Sequence, residues 1–151
     1  MPLQRTPHWA TREFSAHLKA HAEDPFVWGE NDCCLFPANA ILAFTGTDLA
    51  ADFRGKYHDQ AGALAAIETI ACGKTVADAA AWCAAKHGLE ELTHPLLAQR
   101  GDLVVLQQPF VHSFGALIAG VVHLNGCEAV TVGEGGLVRL PLSAVVRGWR
   151  V

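Results

Sequence analysis

The chain has 151 residues, which is enough for one domain with a sizeable core, and we expect a single domain over residues 1–151. Hydrophobic residues make up 51% of it, yet no run approaches the roughly 20 apolar residues of a membrane span. The net charge of −4 comes without a basic cluster, which argues against nucleic acid as the main partner.

The N-terminal stretch MPLQRTPHWATREF lacks the apolar segment of a secretory signal, so we expect a protein made and kept in a cytoplasm. A protein that is released by cell lysis, or that leaves as part of a larger particle, would carry no secretory signal. The cysteines are odd in number, which favours free thiols over a disulfide framework. They are Cys33, Cys34, Cys72, Cys83 and Cys127.

The first half of the chain has helical periodicity. In TPHWATREFSAHLKAHAEDP, Thr6 can serve as an N-cap and Pro7 as the first helical residue, with Pro25 beyond the end. A second helix is predicted after the DCC segment, with Leu35 on its apolar face and Gly46 as its C′ residue.

The segment TGTDLAADFRGKYHD is turn-like, with one short helix predicted through Leu49–Phe53. Asp59 can cap a helix of QAGALAAIETIA that ends near Gly73. Thr75 can cap another, VADAAAWCAAKH, that ends at Gly88.

Two cysteines in these helices are predicted to pack in the core. Cys83 shares one helical face with apolar neighbours, and Cys72 lies at a helix end. Free cysteine behaves as a small hydrophobic side chain, so both are interpreted as core residues.

The second half changes to short β-type runs separated by turn signals, which are GDLVVLQQ, SFGALIAGVVHL, CEAVTVG, GLVRLPL and GWRV. The Asn-Gly pair in HLNGCEAV predicts a tight hairpin turn. VGEGGLV lacks the Lys-Ser/Thr and helix of a phosphate loop, and it predicts another hairpin turn. Helices followed by antiparallel strands describe an α+β domain.

The segment WGENDCC raises the main functional question, because two adjacent cysteines follow an acidic residue at a predicted helix start. Backbone N–H groups there stabilise a thiolate, and Asn31 or Asp32 can supply the capping side chain. This environment is suited to a cysteine nucleophile at Cys33, which would need a histidine from elsewhere in the chain as its base. The alternative is two buried thiols that pack the base of the helix. Pro37 cannot donate an N–H, so an irregular first turn is expected.

Metal binding is a weaker alternative. His17 and His21 in HLKAH lie four apart on one helical face, but the catalytic zinc pattern would have Glu where Leu18 stands. Cys33 and Cys34 are adjacent rather than spaced as C-x-x-C, which also argues against a thiol redox protein. His17 and His21 are interpreted as a solvated pair.

The order of WGENDCC, RGDLVVL and HSFGALIAG is similar to the NlpC-type branch of the papain-like cysteine peptidases. In that family an Asp-Cys pair begins the central helix, a Gly-Asp turn opens the sheet, and a His-x-Gly strand brings the general base. WG-x-x-Asp-Cys, followed by TGTDLAADFRGKY and GLVRLPL…WRV, resembles small proteins of phage and prophage tail modules. The resemblance spans Trp28 to Val151 and implies a papain-like fold, with N-terminal helices packed on a C-terminal antiparallel sheet.

Carried over by position, the resemblance implies that Cys33 is the nucleophile and that Asp32 caps and shapes its turn. Gly101-Asp102 would form the structural turn into the sheet. The family's histidine position falls on Ser113, and His112 is its neighbour; a shift of one residue in a strand turns a side chain to the other face unless a bulge intervenes. His123 falls near the third, orienting residue, so His112 and His123 both remain candidate bases.

Two functional hypotheses follow from the resemblance. The first is a cysteine amidase or endopeptidase that cuts peptide bonds in peptidoglycan stems without a metal or organic cofactor. The second is a structural protein of a phage tail tip or baseplate that keeps the fold with a degenerate active site; the offset histidine and Pro37 favour it. In both hypotheses the partners are other tail or baseplate proteins, and the protein passes from the host cytoplasm to the virion tail.

Overall fold

The computed structural model describes residues 3–107 and 117–151. In its first half, a short π-helix (Ala10–Phe14) runs into α1 (Ser15–Ala20), and three longer helices follow: α2 (Leu35–Thr45), α3 (Gln60–Ala71) and α4 (Val76–Lys86). The second half contains β1 (Leu103–Gln107), β2 (Leu117–Val122), β3 (Glu128–Gly133), β4 (Gly136–Pro141) and β5 (Val145–Trp149). Short 3-10 turns at Pro95–Leu97 and Leu142–Ala144 connect them.

Within the described residues, the strands form one five-stranded antiparallel sheet in the order β4-β3-β2-β1-β5. Val105 of β1 lies opposite Ala119 of β2 and, on its other side, opposite Arg147 of β5. The turn at Glu134-Gly135 joins β3 to β4 as the sequence predicts. Asn125-Gly126 lies in the connection of residues 123–127 between β2 and β3, which is longer than the tight hairpin turn predicted there. The α+β class is therefore confirmed.

The main core lies between α2, α4 and one face of the sheet. Phe36, Ile41 and Phe44 of α2 belong to the same buried cluster as Val105 and Val121 of the central strands. The alternation of side chains along a strand places these two valines on the helix-covered face. The N-terminus of α2, where the DCC segment lies, is thereby fixed against the middle of the sheet.

The predicted caps of three helices are confirmed. Asp59 accepts a hydrogen bond from the Gly62 N–H at 2.7 Å, and Thr75 forms a capping box with Asp78 at the start of α4. Gly46 closes α2 with φ of 75°, a left-handed conformation that glycine adopts without strain.

Several sequence predictions of the first half are wrong in detail. Leu49–Phe53 forms consecutive turns rather than a helix. The first helical segment begins at Ala10 instead of directly after Thr6, because the intervening residues form a turn. Cys72 is exposed and not in the core: it terminates α3 with φ of 53°, one residue before Gly73. Cys83, by contrast, is 7% exposed and lies in the core as predicted.

In residues 3–107 and 117–151, no helix has both the length and the apolar character needed to cross a membrane.

Candidate active site

The carboxylate of Asp32 organises the segment that contains both cysteines. Its Oδ1 accepts the backbone N–H groups of Cys34 at 3.0 Å and Leu35 at 2.9 Å. Its Oδ2 accepts the Gly29 N–H at 2.9 Å and the Tyr57 hydroxyl at 2.6 Å. The side chain is 1% exposed, so these four donors replace the water that a carboxylate requires. We call these five residues the Asp32 cluster.

The donors come from three parts of the chain. Cys34 and Leu35 belong to the start of α2, where N–H groups otherwise lack intrahelical partners. Gly29 belongs to the preceding loop, and its φ of 79° turns its N–H toward the carboxylate. Tyr57 comes from the turns after α2, and burial and the Asp32 carboxylate raise the pKa of its hydroxyl well above the ordinary value. Tyr57 therefore stays protonated and remains a donor.

The Asp32 carboxylate binds the N–H groups of Cys34, the N-cap residue of α2, and of Leu35, its first residue, whereas the Asn31 side chain binds to the preceding loop. The Asn31 side-chain amide donates to the backbone carbonyls of Asp24 and Pro25, at 3.3 and 3.0 Å. These bonds hold the loop that leads into the cysteine turn.

The two cysteines lie in the turn before α2, not within its first turn as predicted. Pro37 explains the difference: it is the third residue of α2, a position whose N–H would have no intrahelical partner, so the helix starts at Leu35 without strain. The Phe36 N–H donates to the Asp32 carbonyl at 2.8 Å, which joins this turn to the helix.

The two thiols have different surroundings. Cys33 is 2% exposed and belongs to a cluster with residues of the sheet, including Leu106 and Ile118. Cys34 is half-buried, and a side-chain hydrogen bond with Cys33 together with burial raises the pKa of its thiol well above the ordinary value. Cys34 is therefore a protonated thiol at neutral pH and a poor nucleophile.

A mainly apolar pocket adjoins Cys34. It has a volume of about 430 Å³, which includes space open to solvent. Its wall combines α2, the turns after α2, α4 and the two central strands, and every residue of that wall except Cys34 is buried. Residues of that wall include Cys34, Phe53, Ala80, Cys83, Leu103 and Ala119. We call it the Cys34 pocket.

The structure places one of the two candidate histidines. His123 follows β2, where its Nδ1 accepts the Asn125 N–H at 3.1 Å, and burial lowers its pKa. From Ala119, on the wall of the Cys34 pocket, His123 lies roughly 13 Å along the strand direction. His112 lies outside the described residues. The assignment of either histidine as the base stays a prediction.

Gly101 and Asp102 occupy the turn into β1, in agreement with a structural role. Asp102 is fully buried and accepts hydrogen bonds from Arg150 at 2.6 Å and Arg5 at 3.3 Å, as well as from two backbone N–H groups. Burial raises the pKa of this carboxyl, while the hydrogen bonds and arginines oppose that shift. The network ties both ends of the chain to the sheet.

His17 of α1 and His21, the residue that follows this helix, have ring centroids 4.5 Å apart, and His21 contacts Asp24 at 2.6 Å. Burial and the neighbouring His21 lower the pKa of His17 to about 4. In the described part of the chain, no group of three or more His, Cys, Asp or Glu side chains is arranged to hold a metal ion.

Sequence reasoning missed Gly29 and Tyr57, which complete the Asp32 cluster. Gly29 had a detectable signal, since a glycine three residues before an aspartate is suited to a tight turn. Tyr57 had none, because its contact with Asp32 spans 25 residues.

The fold and site define an α+β protein in which a buried aspartate orders a two-cysteine turn at a helix start beside an antiparallel sheet. The chain belongs to the family described as a domain of unknown function, DUF6950, whose profile matches residues 4–151. Comparisons with curated proteins and with solved structures find no match.

Proposed function

We propose that this protein is a papain-like (NlpC-type) cysteine amidase or endopeptidase that cuts peptide bonds in peptidoglycan stems. The Asp32 cluster is the observation that carries the proposal. In this cluster four donors bind one buried carboxylate. They fix the turn that contains Cys33, which lies just before α2 and against the sheet. Such fixed placement of a thiol is what nucleophilic catalysis requires.

In this mechanism the Cys33 thiolate attacks the amide carbonyl, and His112 or His123 protonates the leaving amine. Water then hydrolyses the acyl-enzyme with the same histidine as base. The N–H groups of Cys34 and Leu35 are bound to Asp32, so they do not serve the oxyanion. The backbone N–H of Cys33 is the donor proposed for the oxyanion.

The proposed setting is a phage or prophage tail. The protein would be made in the host cytoplasm and assembled with other tail or baseplate proteins, which would bring the hydrolase to the cell wall. This part of the proposal is supported by the sequence resemblance alone.

A second candidate is a structural component of the tail tip or baseplate with a degenerate papain-like site. Two observations favour it: Cys33 is only 2% exposed, and the pKa of the neighbouring Cys34 is raised. In this case the Asp32 cluster stabilises the fold without supporting chemistry.

Purified stem peptides and cross-linked wall fragments, incubated with the protein and followed by mass spectrometry, separate the two candidates. Hydrolysis that is lost in Cys33→Ala and in His112→Ala or His123→Ala, but kept in Cys127→Ala, supports the enzyme. Cys127 is an exposed thiol and serves as the matched control. If no fragment is cleaved, or if Cys33→Ala cleaves as fast as the wild type, the enzyme proposal fails and the structural role stands.

A further inference from the structure

The Cys34 pocket has a chemical character that the proposed mechanism does not use. Apart from the thiols of Cys34 and Cys83, the side chains named in its wall are hydrocarbon. The second thiol is also protonated at neutral pH, since burial raises the pKa of Cys83 to about 12. The wall therefore offers no charge to a ligand.

The dimensions of the pocket restrict its occupant. Every residue of its wall except Cys34 is buried, so a ring or a branched chain does not fit without rearrangement of the surrounding side chains. A charged or strongly polar group would lose its hydration there without finding partners, which is unfavourable. A short, unbranched aliphatic group meets both conditions, and each buried methylene or methyl group favours binding through the hydrophobic effect.

The pocket also lies beside the proposed nucleophile. Cys34 lines the pocket and directly follows Cys33 in the chain, so a group that enters the pocket approaches the turn that holds both thiols.

We propose that the Cys34 pocket binds a short, uncharged aliphatic side chain of the substrate peptide and so sets its specificity. The assignment of the ligand as part of a peptide rests on the proposed function. Ala80, on the α4 wall, is the residue at which the pocket is most simply narrowed.

A labelling experiment tests the pocket without requiring hydrolysis. Methyl methanethiosulfonate transfers CH₃S to a thiol: the cysteine sulfur attacks the sulfenyl sulfur, a new S–S bond forms, the proton is lost to buffer and methanesulfinate leaves. Its reaction at Cys34 is compared with that of the anionic sulfonatoethyl methanethiosulfonate. Labelling is carried out at alkaline pH with excess reagent, because the Cys34 thiol is protonated at neutral pH, and the labels are then located by tandem mass spectrometry. The exposed Cys127 of the same molecule serves as the internal reference.

We expect the methyl reagent to be favoured over the anionic one at Cys34, relative to Cys127, by roughly tenfold or more. Ala80→Val should reduce methyl transfer to Cys34. The matched control is Ala77→Val, because Ala77 has the same 7% exposure on the same helix as Ala80. Equal selectivity at Cys34 and Cys127, or an unchanged rate with Ala80→Val in a folded protein, overturns the pocket as a ligand site and leaves a packing void.

Peptide hydrolysis then tests the specificity. Peptides that differ only in one side chain near the scissile bond, aliphatic or charged, should differ in kcat/KM by roughly tenfold or more, and Ala80→Val should reduce that preference. Equal kcat/KM values for the two peptides would show that the Cys34 pocket does not set the substrate specificity. If the labelling is selective but no peptide is cleaved, the failure lies in the proposed function, and the pocket is no longer assigned to a substrate.

Discussion

The hydroxyl of Tyr57 donates a hydrogen bond of 2.6 Å to Oδ2 of Asp32, a residue 25 positions earlier that is 1% exposed. This bond joins the turns after α2 to the cysteine turn before α2, so one buried contact fixes both ends of that segment. Each end of the contact can be removed separately.

Tyr57→Phe removes the hydroxyl and keeps the ring. The Asp32 Oδ2 then keeps the Gly29 N–H but loses its second donor in a buried site. We expect the free energy of unfolding to fall by about 1.5–3 kcal/mol, since the lost bond is to a charged group. Urea denaturation measures this change, and an unaltered midpoint would show that the bond does not contribute to stability.

Asp32→Asn should lower the free energy of unfolding by more than Tyr57→Phe does, by about 3 kcal/mol or more. The reason is that an amide NH₂ group would face at least one backbone donor in a buried site. The matched control is Asp52→Asn. Asp52 forms an exposed ion pair with Lys86, whose removal should cost no more than about 1 kcal/mol. Similar losses for the two variants, measured by the same denaturation, would contradict the importance of the Asp32 cluster.

Gly29→Ala tests the backbone of the same cluster. Gly29 has a φ of 79°, and a Cβ there would meet the carbonyl oxygen of Tyr57. Gly55 has a similar φ of 73° with nothing within 4 Å of an added Cβ, so Gly55→Ala carries the conformational cost alone. We expect Gly55→Ala to lower the free energy of unfolding by about 1 kcal/mol and Gly29→Ala to lower it by clearly more. Equal thermal shifts would show that the loop moves freely away from Tyr57.

The depressed pKa of His17 predicts a pH dependence of stability. The folded protein binds this proton with a pKa of about 4, whereas the ordinary value is 6.5, so the unfolded chain binds more protons between these values. Stability should therefore fall as the pH drops from 6.5 toward 4, with no contribution from this group above that window. His17 is partly exposed, so the effect is reduced by solvent screening.

His17→Gln should flatten this part of the stability profile, measured as the melting temperature at a series of pH values. His58→Gln is the control, because His58 is an exposed histidine. If the wild type and His17→Gln lose stability in parallel between pH 6.5 and 4, the titration of His17 does not destabilise the fold.

Local sequence signals predicted the elements whose ends depend on nearby residues. Asp59 and Thr75 cap helices through donors only three residues away, and Gly46 closes α2 by its own φ. Cys72 shows the limit of this reasoning: helical periodicity extends to it, but it occupies the left-handed position that ends α3, and its side chain is exposed.

The candidate site was predicted only in its local part. The capping of Cys34 and Leu35 by Asp32 follows from residues two and three positions apart. The contact with Tyr57 and the wall of the Cys34 pocket depend on how α2, α4 and the sheet pack together. Periodicity and spacing in a single sequence do not specify that packing.

The central claim is that Cys33 is a nucleophile activated by a histidine. The most direct test is the rate of alkylation of Cys33 as a function of pH, located by mass spectrometry, in the wild type and in Cys33→Ala, His112→Ala and His123→Ala. We expect fast reaction of one thiol below about pH 7, loss of that rate in Cys33→Ala and slower reaction in one histidine variant. Reaction of Cys33 only near the ordinary thiol range of about pH 8.5, or no reaction at all, would contradict the enzyme and favour the structural role.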